Sequence, residues 1–280
     1  MGIGRAVRAV MGARAIWRLK KLLGMERVLP RRPADGSACR PSHRILVATH
    51  HKTGTKWMGA VFGKMSLELS LDFRNLPARS ESDEGDVLMQ DHSRFGFTPD
   101  PSVHRGVHLI RDPRDVIVSA CFYHMRSDEV QLHRPREEFG GRSYQEAINS
   151  IENPDDRLLF EMENSSLGNI RQIFDWDYSN PVFLEVRYED LIVDRELELF
   201  HDMFVFLGLP GWMIPTALAI AYNNSLFSGE VDRPGHVRSG RPAQWRSHFR
   251  EVHKRRFLEL FGDVLVRLGY EENDDWPVME

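Results

Sequence analysis

The sequence contains only two cysteines, Cys39 and Cys121, and no Cys-x-x-Cys pair. Two cysteines cannot form a disulfide framework, and the missing pair argues against the common zinc and thiol-redox classes. Long apolar runs are also scarce. The uncharged stretch 204–222 approaches membrane-spanning length, but glycines and prolines interrupt it. We therefore expect a buried helix end, a turn and a second helix there.

Charge of neither sign dominates, since 37 basic and 41 acidic residues give a net charge of −4 over 280 residues. With 41% hydrophobic residues, this composition excludes disordered, collagenous and fibrous classes. The ends differ, because residues 1–32 hold nine Arg or Lys and one acid, whereas the last ten residues hold five acids. We expect a basic arm (1–43), a domain (44–270) and an acidic tail (271–280).

The start of the chain has no apolar run long enough for a secretory signal or an anchor. We therefore expect a cytoplasmic protein. The basic arm could make weak contact with a membrane surface, and a solvated basic helix is its simpler interpretation. We expect no nucleic-acid partner, and the sequence does not indicate an oligomeric state.

Short apolar runs predict four strands, and helical spacing predicts helices between and after them. Strands that alternate with helices are typical of an α/β fold with a mainly parallel sheet. The polar segments 74–86 and 126–142 are predicted to be surface loops or a mobile lid. The strand candidates are 44–49, 87–89, 107–110 and 182–186, and the helix candidates are 57–69, 116–125, 156–174, 197–207 and 252–268.

The loop after the first strand predicts an anion site. Residues 50–57 combine a glycine, two hydroxyl residues and two lysines at the start of a helix. Backbone N–H groups at a helix N-terminus and a lysine ammonium both favour phosphate oxygens. The loop departs from the ATP-binding pattern, because Trp57 follows Lys56 where a magnesium-binding Ser or Thr would stand. We therefore expect no metal.

The third strand runs into a second phosphate candidate. Arg111 stands at the strand end and can make charge-assisted bonds to a phosphate, with Ser119 two helical turns further on. Asp112, Pro113 and Asp115 have a structural explanation instead, as an N-capping residue and first-turn neighbours of the following helix.

These segments resemble the sulfotransferase family that uses 3′-phosphoadenosine 5′-phosphosulfate (PAPS). Residues 50–57 are similar to the family loop Y-P-K-[SA]-G-T-T-W, and residues 111–119 to R-[ND]-P-[KR]-D-x-x-V-S. Residues 238–245 resemble R-K-G-x-x-G-D-W, and residues 187–191 resemble [FR]-Y-E-D-[LM]. The four segments follow the family order and imply a single P-loop-like α/β domain with helices on both faces of the sheet.

The resemblance implies a set of residues that bind PAPS and its product, 3′-phosphoadenosine 5′-phosphate (PAP). The first loop would bind the 5′-phosphosulfate, the second loop and the third motif would bind the 3′-phosphate, and two aromatic residues would lie near the adenine. These residues are Lys52, Thr53, Gly54, Thr55, Lys56, Trp57, Arg111, Ser119, Tyr188, Arg238, Ser239 and Gly240.

The implied reaction moves a sulfuryl group, in line, to a hydroxyl of an unidentified small-molecule or glycan acceptor. Lys52 stands where the family lysine stabilises the leaving phosphate, and His92 stands where the family places its catalytic histidine. Imidazole titrates near neutrality, as a general base should. His50 and His51 are rivals beside the loop, and His108 within a strand is predicted to be a core residue.

Two other functions are kept as alternatives. A P-loop kinase or other nucleotide phosphotransferase would need magnesium ligands that the first loop does not offer. A non-catalytic nucleotide-binding or basic-surface adaptor would depend on residues 1–32 and would tolerate loss of His92. The segments 74–86, 126–142 and 223–237 are the expected walls of an acceptor pocket, but they do not identify the acceptor.

Lys56 is expected to supply a missing charge. Gln90 and Asp91 replace the lysine and threonine that precede the family histidine, and this removes a cation that helps to hold the sulfonate. The substitution Lys56→Met should therefore lower both turnover and PAPS affinity, measured by steady-state kinetics and by titration. Unchanged values for both would contradict this role.

Overall fold

A computed structural model describes residues 40–229 and 240–279. Within them, five strands form one sheet in the order β2-β3-β1-β4-β5, and every neighbouring pair is parallel. The predicted α/β class with a parallel sheet is confirmed. The strands are β1 (Arg44–Ala48), β2 (Phe73–Asn75), β3 (Val87–Gln90), β4 (His104–Ile110) and β5 (Phe183–Arg187).

Helices occupy most of the chain between and after the strands. The α-helices are α1 (Thr55–Leu69), α2 (Pro113–His124), α3 (Tyr144–Asn149), α4 (Pro154–Glu163), α5 (Ser165–Phe174), α6 (Tyr188–Val193), α7 (Glu198–Phe206), α8 (Ile214–Asn223), α9 (Glu251–Phe261) and α10 (Val264–Arg267). Short 3-10 turns lie at Val130–His133, Glu137–Phe139, Leu226–Ser228 and Gln244–Ser247.

Several predicted boundaries were wrong. The helix expected at 156–174 is two helices, because the backbone of Asn164 leaves the helical region with φ −112° and ψ −97°. The helix expected at 252–268 divides at Gly262. The sequence also missed β2, whose three residues are half-buried or exposed and therefore lack an apolar run. The short α3 and α6 were missed as well.

The described residues form two compact units. The first contains the sheet and consists of residues 40–49, 54–110, 178–229 and 240. In its core, apolar residues of α1, α7 and α8 pack against β1, β3 and β4. The uncharged stretch 204–222 supplies the end of α7, a turn and all of α8 except Asn223, as predicted.

The second unit consists of residues 50–53, 111–177 and 241–279. Its C-terminal part holds a cluster of aromatic rings in edge or tilted contact, formed by Trp245, Phe249, Phe257 and Trp276. The buried guanidinium of Arg114 lies 3.6 Å from the centre of the Trp245 ring. Desolvated cation–π contacts of this kind stabilise a protein by about 2 kcal/mol.

None of the helices in residues 40–229 and 240–279 is long and apolar enough to cross a bilayer. The predicted basic arm falls almost entirely outside these residues.

The close approach of β4 to its neighbours requires a glycine. A Cβ on Gly106 would lie 2.5 Å from the Phe183 ring and 3.1 Å from Leu46 Cβ. Gly106→Ala should therefore lower the free energy of unfolding by about 1–3 kcal/mol, measured by urea denaturation. Gly168→Ala is the matched control, because a Cβ there meets no atom within 4 Å and alanine favours the helix. Equal effects of the two substitutions would contradict this account.

Candidate active site

Two candidate phosphate loops leave neighbouring strands at the same edge of the sheet. β1 ends at Ala48 and β4 at Ile110, and Ala48 pairs with His108 in the parallel register. Functional groups of open α/β sheets usually lie at the carboxyl ends of the strands. The topology therefore brings both predicted loops to the edge at which such sites form.

The first loop is a tight turn closed by Thr53. The hydroxyl of this buried residue donates to the His50 carbonyl at 2.9 Å and accepts from the His50 N–H at 2.9 Å. Lys52 adopts the left-handed conformation with φ 65°. Such a backbone costs a non-glycine residue about 1–2 kcal/mol. The turn thus keeps Lys52 at a strained position.

Gly54 is the N-cap residue of α1 and has a φ of 117°, which favours glycine. A Cβ there would lie 3.0 Å from Leu109 Cδ2 and 3.3 Å from the Tyr188 ring. The first turn of α1 contains no acidic residue, and Gly54 offers no capping side chain. This helix start therefore has the positive end dipole and N–H groups that suit an anion.

Lys52 contacts an aromatic ring that the sequence did not single out. Its Nζ lies 3.8 Å from the centre of the Tyr123 ring, near the end of α2. The Tyr123 hydroxyl donates to Glu129 Oε1 at 2.6 Å. Burial and this carboxylate both raise the pKa of Tyr123. The ring therefore stays neutral at physiological pH and presents its electron-rich face to the ammonium.

Arg111 connects three segments of the second unit. Its guanidinium donates to the Lys52 carbonyl at 3.0 Å and lies 3.6 Å from an Asp115 carboxylate oxygen. Asp115 in turn accepts the Trp245 N–H at 2.9 Å. Burial raises the pKa of Asp115, and the neighbouring Arg111 opposes this rise. The predicted phosphate arginine is thus buried and directly bonded to the first loop.

Asp112 has the capping role expected from the sequence. Its side chain accepts the Arg114 N–H at 2.9 Å, and Pro113 occupies the first turn of α2. Asp115 also has a structural role, through its bond to Trp245. The sequence did not indicate a structural role for Arg114. Its guanidinium donates to both Asp112 carboxylate oxygens and forms an ion pair with Glu271.

The two predicted adenine-site aromatics pack together in the first unit. The rings of Trp57 and Tyr188 lie 6.0 Å apart at 85°, and Trp57 also meets the Phe200 ring at 5.7 Å. Thr55 bonds through its hydroxyl to Thr49 at 3.0 Å. Lys56 is exposed. Adenine stacking on Trp57 and charge compensation by Lys56 stay predictions.

His92 lies in the turn that follows β3. Gln90 closes this turn, because its buried side-chain oxygen accepts the N–H groups of His92 at 2.8 Å and Arg94 at 2.6 Å. The residue that replaces the family lysine therefore has a structural role. The His92 ring is half-buried, and within residues 40–229 and 240–279 it has no hydrogen bond or ion pair.

The other residues predicted from the sequence lie at positions away from the contacts described above. Ser119 is half-buried in α2, and Gly240 has a φ of 63° at the start of the second described range. Arg238 and Ser239 lie outside the described residues. His108 is a core residue, as predicted, and its Nδ1 lies 2.5 Å from Glu185 Oε2 on the next strand.

The part of the chain that the structure describes contains no group of three or more His, Cys, Asp or Glu side chains arranged to hold a metal ion.

No protein-family model and no curated protein matches the sequence. Solved structures do match the fold. Mouse sulfotransferase SULT7A1 complexed with PAP matches with a TM-score of 0.51 and 17% identity, over 90% of each chain. Retinol dehydratase matches in complex with androsterone and inactive cofactor PAP, with a TM-score of 0.48, 15% identity and coverage of 87% of this chain and 84% of that chain. The complex of retinol dehydratase with retinol and PAP matches with a TM-score of 0.45 and 16% identity, over 88% of this chain and 86% of that chain.

The likeness to the mouse enzyme shows that this chain has the sulfotransferase fold. The resemblance stated from the sequence motifs is thereby confirmed at the level of fold.

The left-handed backbone of Lys52 generates a prediction about stability. Glycine adopts this conformation without steric strain, whereas alanine retains the strain of the lysine. Lys52→Gly should therefore be more stable than Lys52→Ala by about 1 kcal/mol, measured by thermal or urea unfolding. Both variants lose the ammonium, so the comparison isolates the backbone.

The control is Ala60→Gly, in the middle of α1. Here the glycine variant should be less stable than the wild type by about 1 kcal/mol, because alanine favours a helix interior over glycine. An alanine variant at position 52 that is as stable as the glycine variant would argue against strain in the loop.

Proposed function

We propose that this protein transfers the sulfuryl group of PAPS to a hydroxyl of a small-molecule or glycan acceptor. The observation that carries the proposal is the hydrogen bond from Arg111 to the Lys52 carbonyl. It joins the two loops whose motifs resemble the family's 3′-phosphate and 5′-phosphosulfate elements. The fold, shared with a sulfotransferase structure that contains PAP, supports the same function.

The chemistry of the donor groups fits a ligand with two phosphate groups. Lys52 and Arg111, which belong to the same unit, supply two cationic donors, and the Arg111 guanidinium is bonded to the Lys52 carbonyl. Gly54 has a φ of 117° and leaves room for Leu109 and Tyr188 to pack against the backbone at the start of α1. Arg111 is buried, so its interaction with a phosphate would be screened less than that of a surface arginine.

In the proposed reaction, the acceptor oxygen forms a bond to sulfur as the bond from sulfur to the bridging oxygen breaks. The electron pair stays on the 5′-phosphate oxygen of PAP, and the acceptor proton passes to a histidine. Lys52 would stabilise the charge that develops on the leaving oxygen. By analogy with phosphoryl transfer, the protein contributes mainly positioning and electrostatics. We propose a metal-independent reaction, because Trp57 stands where a magnesium-binding hydroxyl would be.

Binding of PAP tests this function without a known acceptor. Calorimetric titration should show binding of PAP that EDTA leaves unchanged and that is tighter than binding of ATP with magnesium. Arg111→Ala should weaken PAP binding at least tenfold, because hydrogen bonds to charged groups contribute about 1.5–3 kcal/mol.

Arg105→Ala is the matched control, since Arg105 lies near the opposite end of the same strand and bonds to the Pro101 carbonyl. It should leave PAP affinity within twofold. A preference for ATP with magnesium would favour a phosphotransferase, and the absence of nucleotide binding would favour the adaptor alternative.

A further inference from the structure

A fully buried carboxylate lies in the second unit and is linked to the first loop through a histidine. Glu161 of α4 accepts three hydrogen bonds, from His124 Nδ1 at 2.7 Å, from the Tyr144 hydroxyl at 2.9 Å and from the Ser166 hydroxyl at 2.7 Å. Burial and this carboxylate raise the pKa of Tyr144, which therefore remains a donor. Because a carboxylate only accepts, His124 carries a proton on Nδ1.

The His124 ring stacks on the ring of a second histidine, His51. The rings of His124 and His51 are stacked, with centroids 5.1 Å apart and planes within 3° of parallel. Tyr123 meets the same His51 ring at 5.7 Å. Two rings of α2 therefore hold the His51 imidazole from different directions.

The backbone of His51 is held as well. Asn169 of α5 accepts the His51 N–H at 3.1 Å and donates to the His51 carbonyl at 2.9 Å. Both bonds come from one buried amide side chain. The position and the ring direction of His51 are thus fixed by residues of α2, α4 and α5.

His51 immediately precedes Lys52, and both side chains contact Tyr123. The loop therefore presents an imidazole and an ammonium against one aromatic ring.

His92, the base expected from the resemblance, lacks comparable support. Its backbone is held by Gln90, but within the described ranges no hydrogen bond or ion pair orients its ring. Catalytic groups work best when neighbouring packing and hydrogen bonds fix their rotamers. By this criterion, His51 is better positioned than His92 to act as a catalytic base, because more contacts hold its ring and backbone.

We propose that His51 is the catalytic base of the transfer, with His124 and Glu161 as positioning residues. The inference rests on the proposed function. As the acceptor oxygen bonds to sulfur, its proton passes to a ring nitrogen of His51. The bridging bond breaks toward the PAP oxygen beside Lys52, and His51 then releases the proton to water. One loop thereby supplies both the base and the cation for the leaving group.

Orthovanadate with PAP tests this role without a known acceptor, because orthovanadate can adopt the five-coordinate geometry of the transferring group. In the wild type, orthovanadate should tighten PAP binding at least tenfold by calorimetry. His51→Gln should remove most of this enhancement and keep the affinity for PAP alone within threefold. His201→Gln, at a half-buried histidine of α7 whose Nδ1 lies 3.1 Å from Asp202 Oδ1, is the matched control and should keep the enhancement.

A double-mutant cycle tests the positioning residues. Glu161→Gln should reduce the enhancement in the wild-type background and have no further effect in the His51→Gln background, because it acts through His51. A purely structural role would instead lower PAP affinity and stability equally in both backgrounds. Thermal unfolding of each variant checks that the fold is retained, and the His51→Gln result stands on its own if Glu161→Gln fails to fold.

The outcomes separate this inference from the proposed function. Failure of the wild type to bind PAP would contradict the function. Binding of PAP with an enhancement that survives in His51→Gln, or that is lost in His92→Gln instead, would overturn the inference and leave the function standing. A wild type that binds PAP without any orthovanadate enhancement would also overturn the inference.

Discussion

The candidate site depends on one buried cation. A guanidinium removed from water is costly unless it is paired and hydrogen-bonded. Arg111 meets this requirement through the Lys52 carbonyl and the Asp115 carboxylate, and Asp115 also binds the backbone at Trp245. The same charge that suits a phosphate therefore fixes the first loop and the C-terminal segment in one unit. A substitution of Arg111 would therefore disturb the packing of the second unit as well as the candidate phosphate site.

The fold was predictable where burial leaves a local signal. β1 and β3 are almost entirely buried, so they appear in the sequence as short apolar runs. β2 carries no such signal, because two of its three residues are exposed. The break at Asn164 was also hidden, since no glycine or proline stands between α4 and α5. Packing in three dimensions, rather than residue type, decides these features.

The candidate site was also predictable only where it has a local signal in the sequence. The first loop and Arg111 were found because glycine, lysine and arginine directly follow strand candidates. The surroundings of His51 were not found, because its partners are distant in sequence. Asn169 lies 118 positions from His51, and Glu161 lies 37 positions from His124. A glutamate in an ordinary helix is usually a surface residue, and only the folded chain shows that this one is buried.

Non-glycine residues adopt the left-handed conformation in turns that follow strands, among them Lys52 after β1 and Ser93 after β3. Ser93 also donates its hydroxyl to the Thr49 carbonyl at 2.9 Å. Random substitution and selection for stability alone would replace such residues with glycine or asparagine. Directed evolution for thermal tolerance should therefore accumulate changes at these turns first, and a change at Lys52 would remove the ammonium that the proposed chemistry needs.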